Sequence, residues 1–123
     1  MTPRTPALSA FTLSADEGRT PQPLNILGGE VLVKLADADS HGAVAVFRHT
    51  VPPLSGPPLH RHSHEDEWFY VLKGKITIEV DGAQTVLDRG GSAFAPRGTA
   101  HTFKNFDDSS FASVLPFSIR SGK

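Results

Sequence analysis

From residue 29 onward, apolar and polar positions alternate in short runs with a period of two, the signature of half-buried β-strands. In the run 29–36, Val31, Val33 and Leu35 share one face, while Glu30, Leu32 and Lys34 share the other. The run 43–51 is rich in β-branched residues and puts Ala45, Phe47 and His49 on one face. Further strands are predicted over 68–72, 75–80, 83–87, 92–95, 100–106 and 111–119. The breaks between them carry turn residues: 37–40, Asp81-Gly82, 88–91, 96–99 and 107–110. The run 75–80 follows Gly74 so closely that it predicts a hairpin with 68–72. Pro52, Pro53, Pro57 and Pro58 remove ladder donors, so 51–58 is a stiff extended connector rather than a central strand. No stretch has a sustained 3.6-residue apolar period. Eight or more short strands with regular turns predict an antiparallel, all-β sandwich or barrel over 23–119. Residues 1–22 read as an arm, irregular or with Phe11 and Leu13 on an edge strand, and 120–123 as a polar tail.

Composition narrows the chemistry. The chain has 123 residues, one domain's worth, with 38% hydrophobic residues to build a modest core. Twelve basic and 13 acidic residues nearly balance, which argues against nucleic acid or an anionic membrane as partner. There is no cysteine, so any metal must be held by nitrogen and oxygen. No apolar run has the length to span a bilayer, and the first residues lack a signal peptide's apolar segment. A soluble, cytoplasmic protein is expected.

The candidate chemistry lies between Leu59 and Gly74. His60, His62 and His64 fall on alternate positions and are followed by Glu65, Asp66 and Glu67. Imidazoles on one face with a carboxylate nearby suit a divalent metal. Glu67 has the opposite strand parity, so the chain must bend or bulge between Ser63 and Asp66 to turn it toward His60 and His62. Phe69 and Val71 then share the face of Glu67, while Trp68 and Tyr70 face the other way. Downstream, His101 shares a face with Phe103 and Asn105 and is introduced sharply by Pro96-Arg97-Gly98-Thr99. If the two segments pair, His101 completes a set of three histidines and one carboxylate, which leaves coordination positions open for catalysis. His64 reads as an exposed or supporting residue, Glu65 and Asp66 as a solvated acidic turn. His49 is more often structural than pocket-lining in such a place.

These residues carry a resemblance. His60-x-His62-x4-Glu67-x6-Gly74 and Gly90-x5-Pro96-x-Gly98-x2-His101-x3-Asn105 match both motifs of the cupin family, with every spacing met. The chain resembles a small single-domain cupin. The first motif normally opens with a glycine separated by five residues from the first histidine, at position 54, where this chain has Leu54. A register shifted to His62 and His64 would use Gly56 but would lose the carboxylate.

The resemblance implies a double-stranded β-helix, or jelly-roll barrel, holding one divalent transition metal per chain (Fe, Mn, Ni, Zn, Co or Cu) on His60, His62, Glu67 and His101. The stretch around the motif is most similar to quercetin dioxygenase-like proteins. That implies a dioxygenase whose Glu67 ligates and also shuttles a proton, with His49, His64, Phe69, Val71 and Phe103 around a small aromatic or apolar oxygenated substrate. The alternatives are a metal-dependent isomerase or lyase, with His49 or His64 as base, and a non-catalytic small-molecule binder. Family habit further implies a homodimer.

Overall fold

The structure, a computed structural model, describes residues 7–26 and 28–120. Among these residues nine strands form two antiparallel sheets that enclose a jelly-roll barrel. The strands are β1 (Leu24–Ile26), β2 (Gly29–Leu35), β3 (Val44–Val51), β4 (Asp66–Lys73), β5 (Ile76–Val80), β6 (Ala83–Leu87), β7 (Ser92–Ala95), β8 (His101–Lys104) and β9 (Ala112–Ile119). A single 3-10 turn, Asp37–Ser40, joins β2 to β3. The larger sheet runs β1-β2-β3-β9-β4-β7 and the smaller β6-β5-β8.

The period-two pattern works because the inward residues meet between the sheets. Val51, Phe69, Val71, Ile76, Ile78, Phe103 and Val114 are all almost fully buried and form one core. Each contributes roughly 1.5–3 kcal/mol of burial. β9 is the centre of the larger sheet, pairing with β3 on one side and β4 on the other. Pro116 lies within it, directly opposite Phe69.

The expected hairpin at Gly74 does not form. β4 pairs with β7 and β9, whereas β5 pairs with β6 and β8, so Gly74 is the corner where the chain leaves one sheet for the other. Its φ of +74° favours glycine, and a Cβ there would lie 3.0 Å from the Ala112 side chain. The tight hairpin is instead β5-β6. Asp81 and Gly82 both have positive φ, as a two-residue turn matched to strand twist requires.

Two further features differ from the patterning. β1 had no alternation long enough to see; it pairs with β2 through Leu24, Asn25 and Ile26. Phe11 and Leu13 lie outside any strand. The arm is instead pinned to the outside of β2 and β3. Lys34 Nζ donates to the carbonyls of Ser14, Ala15 and Glu17. Arg48 donates to the Ala15 carbonyl, and the Arg19 guanidinium lies 3.9 Å from the Phe11 ring centre. Leu32, on the face expected to be polar, is buried because Gly18 and its neighbours cover it.

Candidate metal centre

Two segments of irregular backbone meet at the mouth of the barrel. His60 leaves the proline connector and exchanges two backbone hydrogen bonds with His101 (3.0 and 2.8 Å), which fixes it beside the start of β8. The turn that delivers His101 is clamped from both ends. The Gly98 amide donates to the His62 carbonyl at 2.6 Å. Arg97 donates to Asp66 from its backbone amide, Nε and Nη2 at 2.9–3.2 Å. Asp66, on the outer face of β4, thus ties the two segments together. The Arg97 guanidinium holds its carboxyl below the usual range.

The connector reaches this point by a backbone that sets its own demands. Leu54 occupies the position where the motif has glycine, and its φ is +54°. Gly56 approaches β8 so closely that a Cβ would overlap the Phe103 carbonyl. Position 54 therefore keeps a left-handed conformation that favours glycine, without the glycine.

His60, His62, Glu67 and His101 converge, each offering one ligand atom within 4.8 Å of the others. The Nε2 atoms of His62, His101 and His60 stand 2.5, 3.0 and 4.0 Å from Glu67 Oε1. The opposite ring nitrogens are all engaged. His60 Nδ1 donates to the Pro58 carbonyl at 2.7 Å and His101 Nδ1 to the Thr99 carbonyl at 2.8 Å. His62 Nδ1 faces the Glu65 carboxylate at 3.2 Å.

These partners decide the chemistry. A carbonyl only accepts, so the proton of a neutral His60 or His101 sits on Nδ1 and its Nε2 presents a lone pair. Lone pairs from the imidazoles then face a carboxylate with no donor between them. That donor set is satisfied by a cation in the middle, or by added protons. A divalent metal fits it, with nitrogen and oxygen ligands and outer partners that orient each ring. His101 shows the protonic alternative. Burial pulls its imidazole down, but the hydrogen bonds to Glu67 and Thr99 and the charges of Glu67 and Glu65 outweigh that, so it lies above the ordinary histidine value.

A cavity of about 320 Å³ opens beside this group. Val31, Phe47, Phe103 and Pro116 supply apolar walls, and Leu24 and Ile26 of β1 stand at its rim. The side chains of His60 and His62 remain about one-third exposed, so the group is reachable from solvent. Of the residues expected around a substrate, His49 and Phe103 line the cavity, their rings edge to face at 5.3 Å. Burial pushes the His49 imidazole below its ordinary value. Phe69 lies in the core beneath, 5.7 Å from the rings of His101 and Phe103. Val71 is fully buried and takes no part in the wall, because it lies deeper along β4. His64 is exposed and turned to the outer surface beside Arg61 and Ser63, because the chain bends there before β4 begins.

Three residues at the site were not anticipated. Glu65 faces His62 and accepts from Arg120 Nε at 3.0 Å, so it is no loose surface charge. Arg120, expected in the polar tail, also reaches Asp37 at 2.9 Å, and its amide donates to the Ala43 carbonyl. Ser118 lines the cavity, directly opposite Glu67 in the β4-β9 register. The spacing of Glu65 three residues after His62 was a usable signal. Nothing local marks Arg120, which lies 55 residues from Glu65 in sequence.

Fold and site together define a small β-barrel whose mouth could hold a divalent metal. Residues 47–115 match the family model described as the cupin domain, and the chain belongs to that family. An oxalate-binding protein from Thermotoga maritima is 30% identical over 86 residues, covering 66% of this chain and 71% of the relative. An oxidoreductase from Beauveria bassiana is 47% identical over 49 residues, 39% of this chain but only 16% of the relative. A second oxidoreductase, from Pestalotiopsis fici, is 39% identical over 51 residues, 41% of this chain and 25% of that protein. The chain thus spans a quarter or less of these two relatives. Among solved structures, a predicted oxalate decarboxylase from Thermotoga maritima superposes with a TM-score of 0.76 at 23% identity, over 90% of this chain and 99% of that one. At that identity the likeness shows the fold.

Proposed function

We propose that this cupin is a metal-dependent oxidoreductase, dioxygenase-like in kind, acting on a small aromatic or otherwise apolar oxygenated substrate held in the barrel. The observation that carries the reading is the convergence of three imidazole Nε2 atoms on the Glu67 carboxylate beside an apolar-walled cavity. His60, His62, Glu67 and His101 would hold the metal. Their mixed nitrogen and oxygen set suits Fe, Mn, Ni, Zn, Co or Cu. Bound there, the metal supplies Lewis acidity and, where redox-active, electron transfer. The chain supplies the rest. Pro58, Thr99 and Glu65 orient the imidazoles. Val31, Phe47 and Phe103 exclude water from the apolar part of the substrate. Glu67 holds or moves a proton at its carboxylate oxygens. The working form is taken to be a cytoplasmic homodimer; light scattering that reads a single chain mass would remove the dimer.

The test is elemental analysis of purified protein with oxygen uptake over a panel of catechols and flavonols. We expect one metal per chain and substrate-dependent oxygen uptake. His101→Ala should lose the metal, while His64→Ala should keep it. Full metal retention in the His101 variant would sink the site assignment. A second reading, a non-catalytic binder of a small dicarboxylate, is favoured by the oxalate-binding relative. Oxalate binding to the metal-loaded protein without oxygen uptake would select it.

A further inference from the structure

One residue beyond β9, the chain sets a cation between two carboxylates. Ile119 at the end of β9 pairs with Val44 of β3 on one side and Asp66 of β4 on the other. Arg120 follows, so it emerges between the turn that precedes β3 and the residue that precedes β4. Its amide donates to the Ala43 carbonyl at 2.8 Å, which anchors the backbone. Its Nη1 lies 2.9 Å from Asp37 Oδ2, and its Nε donates to Glu65 Oε2 at 3.0 Å. The other oxygen of Glu65 faces His62 Nδ1 at 3.2 Å. Asp37, Arg120, Glu65 and His62 thus form a continuous chain of contacts from the 3-10 turn to the candidate metal ligands.

Each link is constrained by its chemistry. A guanidinium only donates, and its planar fork is rigid, so Arg120 takes one oxygen of Glu65 and leaves the other to the imidazole. The Glu65 side chain is only 15% exposed, and a carboxylate so enclosed needs a charged partner. The Arg120 side chain is 46% exposed and needs a second hold to keep one orientation. Asp37 supplies it. Its Oδ1 is buried with no partner among the described residues, a state buried oxygens rarely tolerate, so the carboxylate is aligned by Oδ2 on the guanidinium. The rings of His60 and His101 are set by backbone carbonyls two residues away in their own segments. The ring of His62 is set by a side chain, and that side chain is held by Arg120.

We propose that Arg120 is a positioning residue of the metal centre, aligned by Asp37 and acting through Glu65 on the orientation of His62. The turn between β2 and β3 is thereby coupled to the barrel mouth, although Asp37 lies outside the cavity wall. The inference rests on the reading of His60, His62, Glu67 and His101 as a metal site. It deepens that reading by making one ligand depend on a residue 58 positions further along the chain.

Zinc affinity of the full chain, read by competition with a chromophoric chelator at about 0.15 M salt, tests this. Arg120→Met should weaken it about tenfold, the lower end for an outer partner, and Arg120→Lys should recover part of the loss. Charge alone predicts the opposite sign, since removing a cation eases the approach of a divalent ion. Arg61 lines the same outer pocket and pairs with no carboxylate among the described residues, so Arg61→Met should leave affinity within about twofold. Asp37→Asn should weaken affinity about two- to fivefold, the size of a coupling passed through an intervening residue, and should add nothing once Arg120 is replaced. Glu65→Gln with Arg120→Met should cost no more than Glu65→Gln alone, because both act on one imidazole, whereas a general loss of structure would add. Tighter or unchanged zinc binding in Arg120→Met, or additive losses in the double variant, would overturn the assignment while the metal reading stands. Unchanged affinity in Asp37→Asn would do so even where Arg120→Met folds poorly. A parent chain that binds no zinc would remove the metal reading first, and this inference with it.

Discussion

Single residues at this site carry more than their sequence neighbourhood suggests. Leu54 is held at φ +54° and is 67% exposed, so its side chain gains little from burial while its backbone carries left-handed strain. Leu54→Gly should raise stability by about 0.5–1 kcal/mol, because relief of that strain exceeds the entropy glycine adds to the unfolded chain. Chemical denaturation measures it, and a destabilised variant would show that Leu54 packs usefully. Glu65 is the converse, an acidic residue that looks generic in sequence yet fixes His62 Nδ1. Glu65→Gln should weaken metal affinity about 10–100-fold without unfolding the protein, the usual cost of losing an outer partner. Competition with a chelator reads this directly, and unchanged affinity would return Glu65 to the surface. The four candidate ligands were legible because the motif fixes their spacing within two short segments. Arg120, Ser118 and the carbonyls of Pro58 and Thr99 were not, since each acts through a contact that only the folded chain creates.

At the scale of the element, the period of two located every strand except β1, which has three residues and no periodicity to read. What it could not give was pairing. Gly74 follows a strand and precedes another within three residues, as a hairpin would, yet the two strands lie in different sheets. Local spacing is silent on whether a turn folds back or crosses over; the separate partners of β4 and β5 settle it here. The clamp between β4 and the turn before His101 makes a prediction at this scale. Asp66 has its pKa lowered by Arg97, so the pair stabilises the fold above the ordinary carboxylate value and the contribution is lost as pH falls through the lowered one. Asp66→Asn should therefore be less stable at neutral pH, and its stability should decline less between neutral pH and about pH 3. Denaturation series at several pH values test it. Parallel declines in parent and variant would show that the pair contributes nothing.

For the whole molecule, metal and fold should be linked. Ligand atoms from the connector, β4 and β8 come together only in the folded barrel, so a metal that binds there stabilises it by mass action. Chelation should lower the melting temperature, and returning the metal should restore it. The effect should shrink on acidification. His101 lies above its ordinary value, so protons compete from higher pH than at a free imidazole, and affinity rises with pH through that range. Metal affinity that is flat between pH 5 and 8 would contradict this arrangement.

The place of β9 has a consequence for how the protein is made. It is the last strand among the described residues, yet it fills the gap between β3 and β4 at the centre of the larger sheet. Until residues 112–119 leave the ribosome, β3 and β4 each present an open edge with unpaired backbone groups. The larger sheet cannot close before those residues are available. The nascent chain therefore passes through an interval in which strand-to-strand aggregation competes with folding.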